Sequence, residues 1–239
     1  MAGALVAAGA ALHAMPALAP VFEPVARAFR IPRRLEGAGG AMLTFDDGPH
    51  AEGTAAVLEI LRDAGVRATF FLVGEQVERR PALATEIAAA GHGIGLHCHR
   101  HRNLLRLTPG QIRADLERAE HTIAAATGQA LVLHRPPYGI FSAPSLPLVR
   151  RRWQPLLWSR WGHDWSASAT PRSIAEEVTR DVSAGDVLLL HDSDAYSAEG
   201  SWRNTVAALP MILDELSRQG VAIASPGRHS ALLISANLG

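Results

Sequence analysis

The chain has 239 residues, 48% of them hydrophobic and 19% charged, which suits one large α/β domain or two small ones. Its 23 Lys+Arg balance 23 Asp+Glu, so there is no general electrostatic drive toward nucleic acid or an anionic membrane. The single cysteine, Cys98, excludes an internal disulfide framework.

The chain opens on an apolar run, Ala2 to Leu12, broken by His13 and Pro16. It is too short to span a bilayer, and its length suits the core of a signal peptide. No Lys or Arg precedes it, however, while Arg27, Arg30, Arg33 and Arg34 follow, the wrong polarity for export. Ala17-Leu18-Ala19 resembles a cleavage box, but Pro20 fits poorly just after one. A signal, a membrane anchor and a truncated membrane helix all stay open, and an exported or membrane-associated protein is favoured over a cytoplasmic one. Residues 1–40 are expected to form this segment and a Gly-rich linker, 41–226 the folded domain and 227–239 a C-terminal tail.

Strand and helix patterns then alternate. Residues 41–45 read as a strand that ends on Asp46 and Asp47, where Gly48 can take a positive φ and Pro49 stops the ladder. Residues 54–64 read as a helix, 67–73 as a strand, 81–90 as a helix and 93–96 as a strand. Thr108-Pro109-Gly110-Gln111 carries the marks of a helix start: an N-cap, a first-turn proline and a capping-box partner. Ile112, Leu116, Ala119 and Ile123 give that helix one apolar face, and Gly128 ends it. Strands follow at 131–133 and 156–158. A helix begins at Thr170-Pro171, an apolar strand occupies 187–190, a helix runs over 202–218, and a last strand covers 221–224. Seven short strands alternating with helices, several apolar throughout, predict a single α/β domain whose parallel sheet is covered on both faces, a (β/α) barrel or a relative.

In a parallel sheet every strand ends on the same side, so residues just after the strands gather in one basin. Here they are Asp46 and Asp47; His97, Cys98, His99 and His101; His134, Arg135 and Tyr138; His163, Asp164 and Trp165; and His191 and Asp192. Asp46 and Asp47 diverge as neighbours, so one can hold a metal while the other accepts a proton. His97 and His101 have the i, i+4 spacing that lets two imidazoles meet one ion, and with Asp47 they would leave positions open for water and substrate. His99 then points elsewhere, and Cys98 reads as a packing residue. A zincin His-Glu-x-x-His, a Gly-x-Ser-x-Gly elbow and a Gly-rich phosphate loop after the first strand are all missing.

Thr44-Phe45-Asp46-Asp47-Gly48-Pro49, His97-x-x-x-His101, Arg135-Pro136-Pro137-Tyr138-Gly139, Asp164-Trp165 and Leu188-Leu189-Leu190-His191-Asp192 occur in that order. Together they resemble the NodB-homology polysaccharide deacetylases, carbohydrate esterase family 4, over about residues 41–224. The resemblance implies a distorted (β/α) barrel and hydrolysis of the N-acetyl amide of a sugar. It implies Asp47, His97 and His101 as ligands of one divalent metal, zinc by default, with cobalt, nickel or manganese as alternatives. It implies Asp46 as general base, Arg135 as its orienting partner and His191 as general acid, with Asp164 raising the His191 pKa. Tyr138 would offer a backbone N–H to the oxyanion, and Trp165 and Leu189 would wall the acetyl pocket. Two positions depart from the family pattern: Cys98 replaces a usual Ser or Thr that braces the metal loop, and Trp161 replaces an Asp.

The expected partner is thus an N-acetylated poly- or oligosaccharide or glycolipid, with no nucleic acid and with membrane association through the N-terminal segment left open. Oligomeric state is not legible. The alternative is the same metal-dependent fold acting on a non-sugar amide. A non-catalytic carbohydrate-binding protein is a remote third reading, because it predicts loss of Asp46 or His191.

Overall fold

The computed structural model describes residues 2–226; the tail expected over 227–239 lies outside them. Seven parallel strands form one sheet: β1 (Met42–Asp46), β2 (Thr69–Leu72), β3 (Gly93–Leu96), β4 (Leu133–His134), β5 (Gln154–Pro155), β6 (Arg160–Trp161) and β7 (Val187–His191). Their spatial order is β5-β4-β3-β2-β1-β7-β6, every pair parallel. The sheet curls into the half-barrel that the motifs imply, with β2 at its centre and β1 beside it. β1 and β2 are buried along their whole length, as apolar strands covered on both faces must be.

Helices α1 (Ala2–Ala14), α2 (Glu23–Ala28), α3 (Gly53–Asp63), α4 (Gly74–Arg79), α5 (Pro81–Ala89), α6 (Pro109–Thr127), α7 (Ser145–Arg150), α8 (Pro171–Val178) and α9 (Ser201–Arg218) complete the described chain. α6 starts as its sequence predicts: the Thr108 hydroxyl accepts from the Gln111 N–H, the Gln111 side chain accepts from the Thr108 N–H, and Gly128 closes the helix at φ 66°. Ile112, Leu116, Ala119 and Ile123 are buried on one face.

Two expectations need correction. Residues 156–158 are not a strand, because their backbone groups go elsewhere. The carbonyls of Leu156 and Leu157 accept from the Arg135 guanidinium, and the Leu157 N–H donates to Pro32. The strands lie on either side of this stretch, as β5 and β6. Residues 221–224 make only a bridge, Ala41 to Ile223, just before β1, since β2 takes up the same edge from Thr44 on and β7 the other. Within the N-terminal stretch, Ala19, Val25, Ala26, Ile31 and Leu35 are buried in the core. Its first part runs along the site face of the sheet, where Ala143 N–H donates to the His13 carbonyl.

Candidate active site

The carboxyl ends of the strands surround a cavity of about 490 Å³. Of the ten residues singled out from the sequence, eight line it: Asp46, Asp47, His97, His101, Tyr138, Trp165, Leu189 and His191. Arg135 and Asp164 are fully buried behind that wall.

β1 places the two aspartates. Asp46 pairs with His191 across β1 and β7, so base and acid candidates stand side by side. Leu189 pairs with Thr44 two residues earlier on the same face, which period-2 alternation requires. Asp47 takes a left-handed φ of 77°, rare for a residue with a Cβ, and both carboxylates approach His97 Nε2, Asp47 Oδ1 at 3.3 Å and Asp46 Oδ2 at 3.9 Å. The positive φ thus falls at Asp47 and not at Gly48. Gly48 serves another end: a Cβ there would strike the Asp192 carboxylate, which receives the Thr54 hydroxyl beneath the turn. Burial raises the Asp192 pKa to about 7 against that hydrogen bond.

Asp46 is held by a buried guanidinium. Arg135 Nη1 donates to Asp46 Oδ1 at 2.7 Å and to Thr44 Oγ1 at 2.9 Å, while Nε and Nη2 donate to the carbonyls of Leu156 and Leu157. The guanidinium carbon lies 4.0 Å over the Phe71 ring. A charge this deep is tolerated because its donors are satisfied and its counter-ion is adjacent.

Asp47, His97 and His101 converge. Asp47 Oδ1 lies 3.3 Å from Nε2 of each histidine, and the three candidate ligand atoms are within 4.8 Å of one another. His97 Nδ1 donates to the Arg135 carbonyl at 2.8 Å, which sets the ring with Nε2 facing Asp47. Burial alone would raise the Asp47 pKa. The His97 contact and the charges of His191 and His101 outweigh it and hold the carboxyl at about 2. Burial lowers His101 to about 4 although Asp47 opposes it. Asp47 and His101 therefore stand deprotonated at neutral pH, the form a metal takes, and Asp47 Oδ1 is buried with no hydrogen bond among the described residues. Two imidazoles and one carboxylate fit a divalent cation of the zinc type.

At the other side of the cavity, His191 Nδ1 lies 2.9 Å from Asp164 Oδ1. Asp164 Oδ2 accepts from the His191 N–H at 2.7 Å and from the Thr205 hydroxyl at 2.8 Å. Burial would lower the His191 pKa, but the Asp164 charge and hydrogen bond outweigh it, with Asp47 and Asp46 adding, and raise it to about 10. His191 is thus a protonated imidazolium at neutral pH.

Cys98 is fully buried with φ 65°, its sulfur 3.7 Å from His134 Nε2. The loop it belongs to is braced through backbone: Gly74 N–H donates to the Cys98 carbonyl, Glu75 N–H to the His99 carbonyl, and Asp115 accepts from His99 N–H. His99 points away from the triad, toward Glu78. Trp161 lines the cavity, its indole N–H donating to His163 Nε2 at 2.7 Å, and His163 Nδ1 faces Glu177 at 2.9 Å. Trp158 is core-packed but reaches the cavity; Trp202 lies tilted against His50, ring centroids 5.5 Å apart, away from it. Sequence reasoning passed over Tyr196, Pro20 and Val21, which also line the cavity. None of the three sits next to a strand end, so no local signal marks them.

The family model for polysaccharide deacetylases matches residues 36–151. A chitooligosaccharide deacetylase of Azorhizobium caulinodans is 32% identical over 191 residues, spanning 76% of this chain and 90% of that one. The chain belongs to the polysaccharide deacetylase family. These are hydrolases acting on carbon–nitrogen bonds other than peptide bonds. Among solved structures, a peptidoglycan N-acetylglucosamine deacetylase superposes with a TM-score of 0.77 at 27% identity, covering 85% of this chain and 95% of that one. A pseudoenzyme of carbohydrate esterase family 4 from Bacillus anthracis superposes with a TM-score of 0.72 at 26% identity, covering 81% and 66%. The deacetylase fold is therefore shared by an active-named and an inactive-named protein, so in this family the site residues, and not the fold, carry the case for catalysis.

Proposed function

We propose that this polysaccharide deacetylase removes the acetyl group from an N-acetylated sugar and needs one divalent cation, zinc by default, to do so. The observation that carries the reading is the Asp47–His97–His101 triad beside Asp46 and the His191–Asp164 pair in one cavity. A relative named as a chitooligosaccharide deacetylase and a structural neighbour named as a peptidoglycan deacetylase support this substrate class.

Asp47, His97 and His101 would hold the cation, which supplies electrophilic polarisation of the amide carbonyl and a lowered pKa for water. Asp46, oriented by Arg135, takes a proton from the attacking water. Tyr138, at the cavity rim, offers its backbone N–H to the developing oxyanion, a contribution often worth about 3 kcal/mol per donor. His191 gives a proton to the departing nitrogen, since an amine leaves poorly until protonated; its pair with Asp164 keeps that proton in place. Leu189 and Trp165 exclude water around the acetyl methyl. Acetate release from an N-acetylglucosamine oligomer tests the reading. Release that chelator stops and Asp46→Asn lowers by about 10²–10⁴-fold supports it. Wild-type protein with metal bound and no release moves the substrate to a non-sugar amide.

The N-terminal segment bears on where the substrate is met. Leu12, Met15, Leu18, Val21 and Phe22, all within eleven residues of chain, are each exposed, and α1 carries no Asp, Glu, Lys or Arg. Pro20 and Val21 continue this apolar surface into the cavity wall. No described helix is long and apolar enough to cross a membrane. A lipid surface suits this patch, presenting a lipid-anchored N-acetylated sugar beside the cavity. Sedimentation with phosphatidylglycerol vesicles should pellet wild type and spare a Leu12→Ser, Val21→Ser, Phe22→Ser variant. Equal sedimentation would overturn membrane association, and a dimer that dissociates in the variant would assign the patch to a second copy.

A further inference from the structure

The two candidate ligand histidines are held in different ways. A metal-bound imidazole normally donates its second N–H to a carbonyl, carboxylate or water, which fixes ring orientation and ligand basicity. His97 has this support from the Arg135 carbonyl at 2.8 Å. His101 does not: its Nδ1 is buried and has no hydrogen-bond partner among the described residues.

Its ring is held by faces instead. The Tyr196 ring lies parallel to it, with centroids 4.2 Å apart and planes 10° apart. Tyr138 meets it edge-on, with centroids 4.5 Å apart at 69°. Tyr138 is 55% exposed and sits on a left-handed φ of 60°, so it is the less constrained of the two. Tyr196 is anchored at its far end. Its hydroxyl donates to Glu75 Oε1 at 2.6 Å and accepts from Gln76 Nε2 at 3.0 Å. Gln76 in turn accepts from Arg80 at 3.0 Å.

Glu75 and Gln76 belong to the first turn of α4, and the same turn holds the histidine loop. Gly74 N–H donates to the Cys98 carbonyl at 3.0 Å, and Glu75 N–H to the His99 carbonyl at 2.9 Å. A Cβ on Gly74 would drive into His99, so the glycine is what lets the helix sit this close. One helix turn therefore fixes both the backbone that carries His101 and the aromatic plate that covers its ring.

We propose that Tyr196, locked to α4 by Glu75 and Gln76, is a positioning residue that orients His101 toward the metal position by ring stacking, in place of the missing outer hydrogen bond. This rests on the reading of Asp47, His97 and His101 as the metal triad. With the stack gone, the His101 ring is free to rotate about its side-chain bonds and loses part of its time at the orientation a metal needs.

The test is cobalt(II) binding to the otherwise metal-free protein, followed by its visible absorption, with no substrate present. Tyr196→Leu should weaken cobalt affinity about 10- to 100-fold, the range for lost outer support of a ligand, and shift the visible band. Tyr196→Phe keeps the plate and loses the anchor, so it should fall between wild type and the leucine variant. Tyr196→Trp, which restores a plate, should recover affinity over leucine. Circular dichroism checks that each variant is folded; if Tyr196→Leu is not, the ordering of the phenylalanine and tryptophan variants against wild type decides. Wild-type affinity and an unchanged band in a folded leucine variant would overturn the proposal, as would wild type that binds no cobalt. Wild type that binds cobalt yet releases no acetate counts against the proposed reaction and not against this role of Tyr196.

Discussion

Arg135 and Asp46 form an ion pair at 2.7 Å in which both partners are buried, Arg135 completely. The guanidinium also ties β1 to the irregular stretch after β5 through the carbonyls of Leu156 and Leu157. One residue thus orients a candidate base and satisfies the carbonyls of Leu156 and Leu157, which no strand partner among the described residues reaches.

Removing that residue should cost stability first. Arg135→Gln strands the Asp46 carboxylate in the interior, a change that costs about 3–5 kcal/mol when one partner of a buried pair is lost. For a domain of this size that lowers the melting temperature by about 6–20 °C. Asp46→Asn, Arg135→Gln together should recover part of the loss, because neither charge remains. Thermal unfolding of the three proteins measures this, and a melting temperature unchanged in Arg135→Gln would remove the pair from the stability argument.

The His191–Asp164 pair predicts a pH dependence. The folded-state value of His191, about 10, lies above the ordinary value of about 6.5, so folding retains a proton that the unfolded chain releases. The stability it contributes is fully present below about pH 6.5. It declines as pH rises and is gone above about 10. Chelator-treated wild type should lose melting temperature across that window, and Asp164→Asn should flatten the decline. Parallel profiles for the two proteins would show that Asp164 does not set the His191 proton.

Leu189 is buried on the β7 face beside His191 and lines the cavity. If it walls the acetyl methyl, Leu189→Ala opens room for one more carbon. The ratio of kcat/KM for N-propionyl over N-acetyl sugar should rise about tenfold or more, the scale of one methylene in an apolar pocket. The same variant should lose about 2–5 kcal/mol of stability as a cavity is left. An unchanged ratio would place the acyl group elsewhere.

Cys98 is fully buried among apolar neighbours, and burial pushes its thiol well above the usual range. A disulfide reagent should leave it untouched in the native protein and modify it only after denaturation, as a timed thiol assay would read. Cys98→Ser should leave acetate release within about twofold of wild type, since the loop is braced through Gly74, Glu75 and Asp115 and not through the sulfur. Rapid native modification would mean that the loop opens.

Much of the site was legible from sequence because of one geometric fact. Parallel strands end on one side, so a carboxylate, imidazole or guanidinium just after each strand must meet the others. That argument gathered Asp46, Asp47, His97, His101, Arg135, Asp164 and His191 at one end of the sheet, along with His99, His134, His163 and Asp192, and the resemblance to the deacetylase motifs singled out the seven. The capping box of α6 and its buried face were equally local, set by hydrogen bonds three residues apart and by a 3.6-residue period.

Tertiary structure alone decided the rest. Residues 156–158 are as apolar as a strand, but their carbonyls meet Arg135, a partner 21 residues away in sequence. Residues 221–224 have a strand pattern but find only Ala41 to pair with, because β2 takes the edge of β1 from Thr44 on. Pro20 and Val21 reach the cavity only because the N-terminal stretch folds across the site face, and Tyr196 covers His101 only because α4, 121 residues earlier, grips its hydroxyl. Period and propensity report which residues share a face of one element. Which faces meet, and which unpaired backbone group finds which side chain, depends on packing between distant segments, and the local sequence carries no record of it.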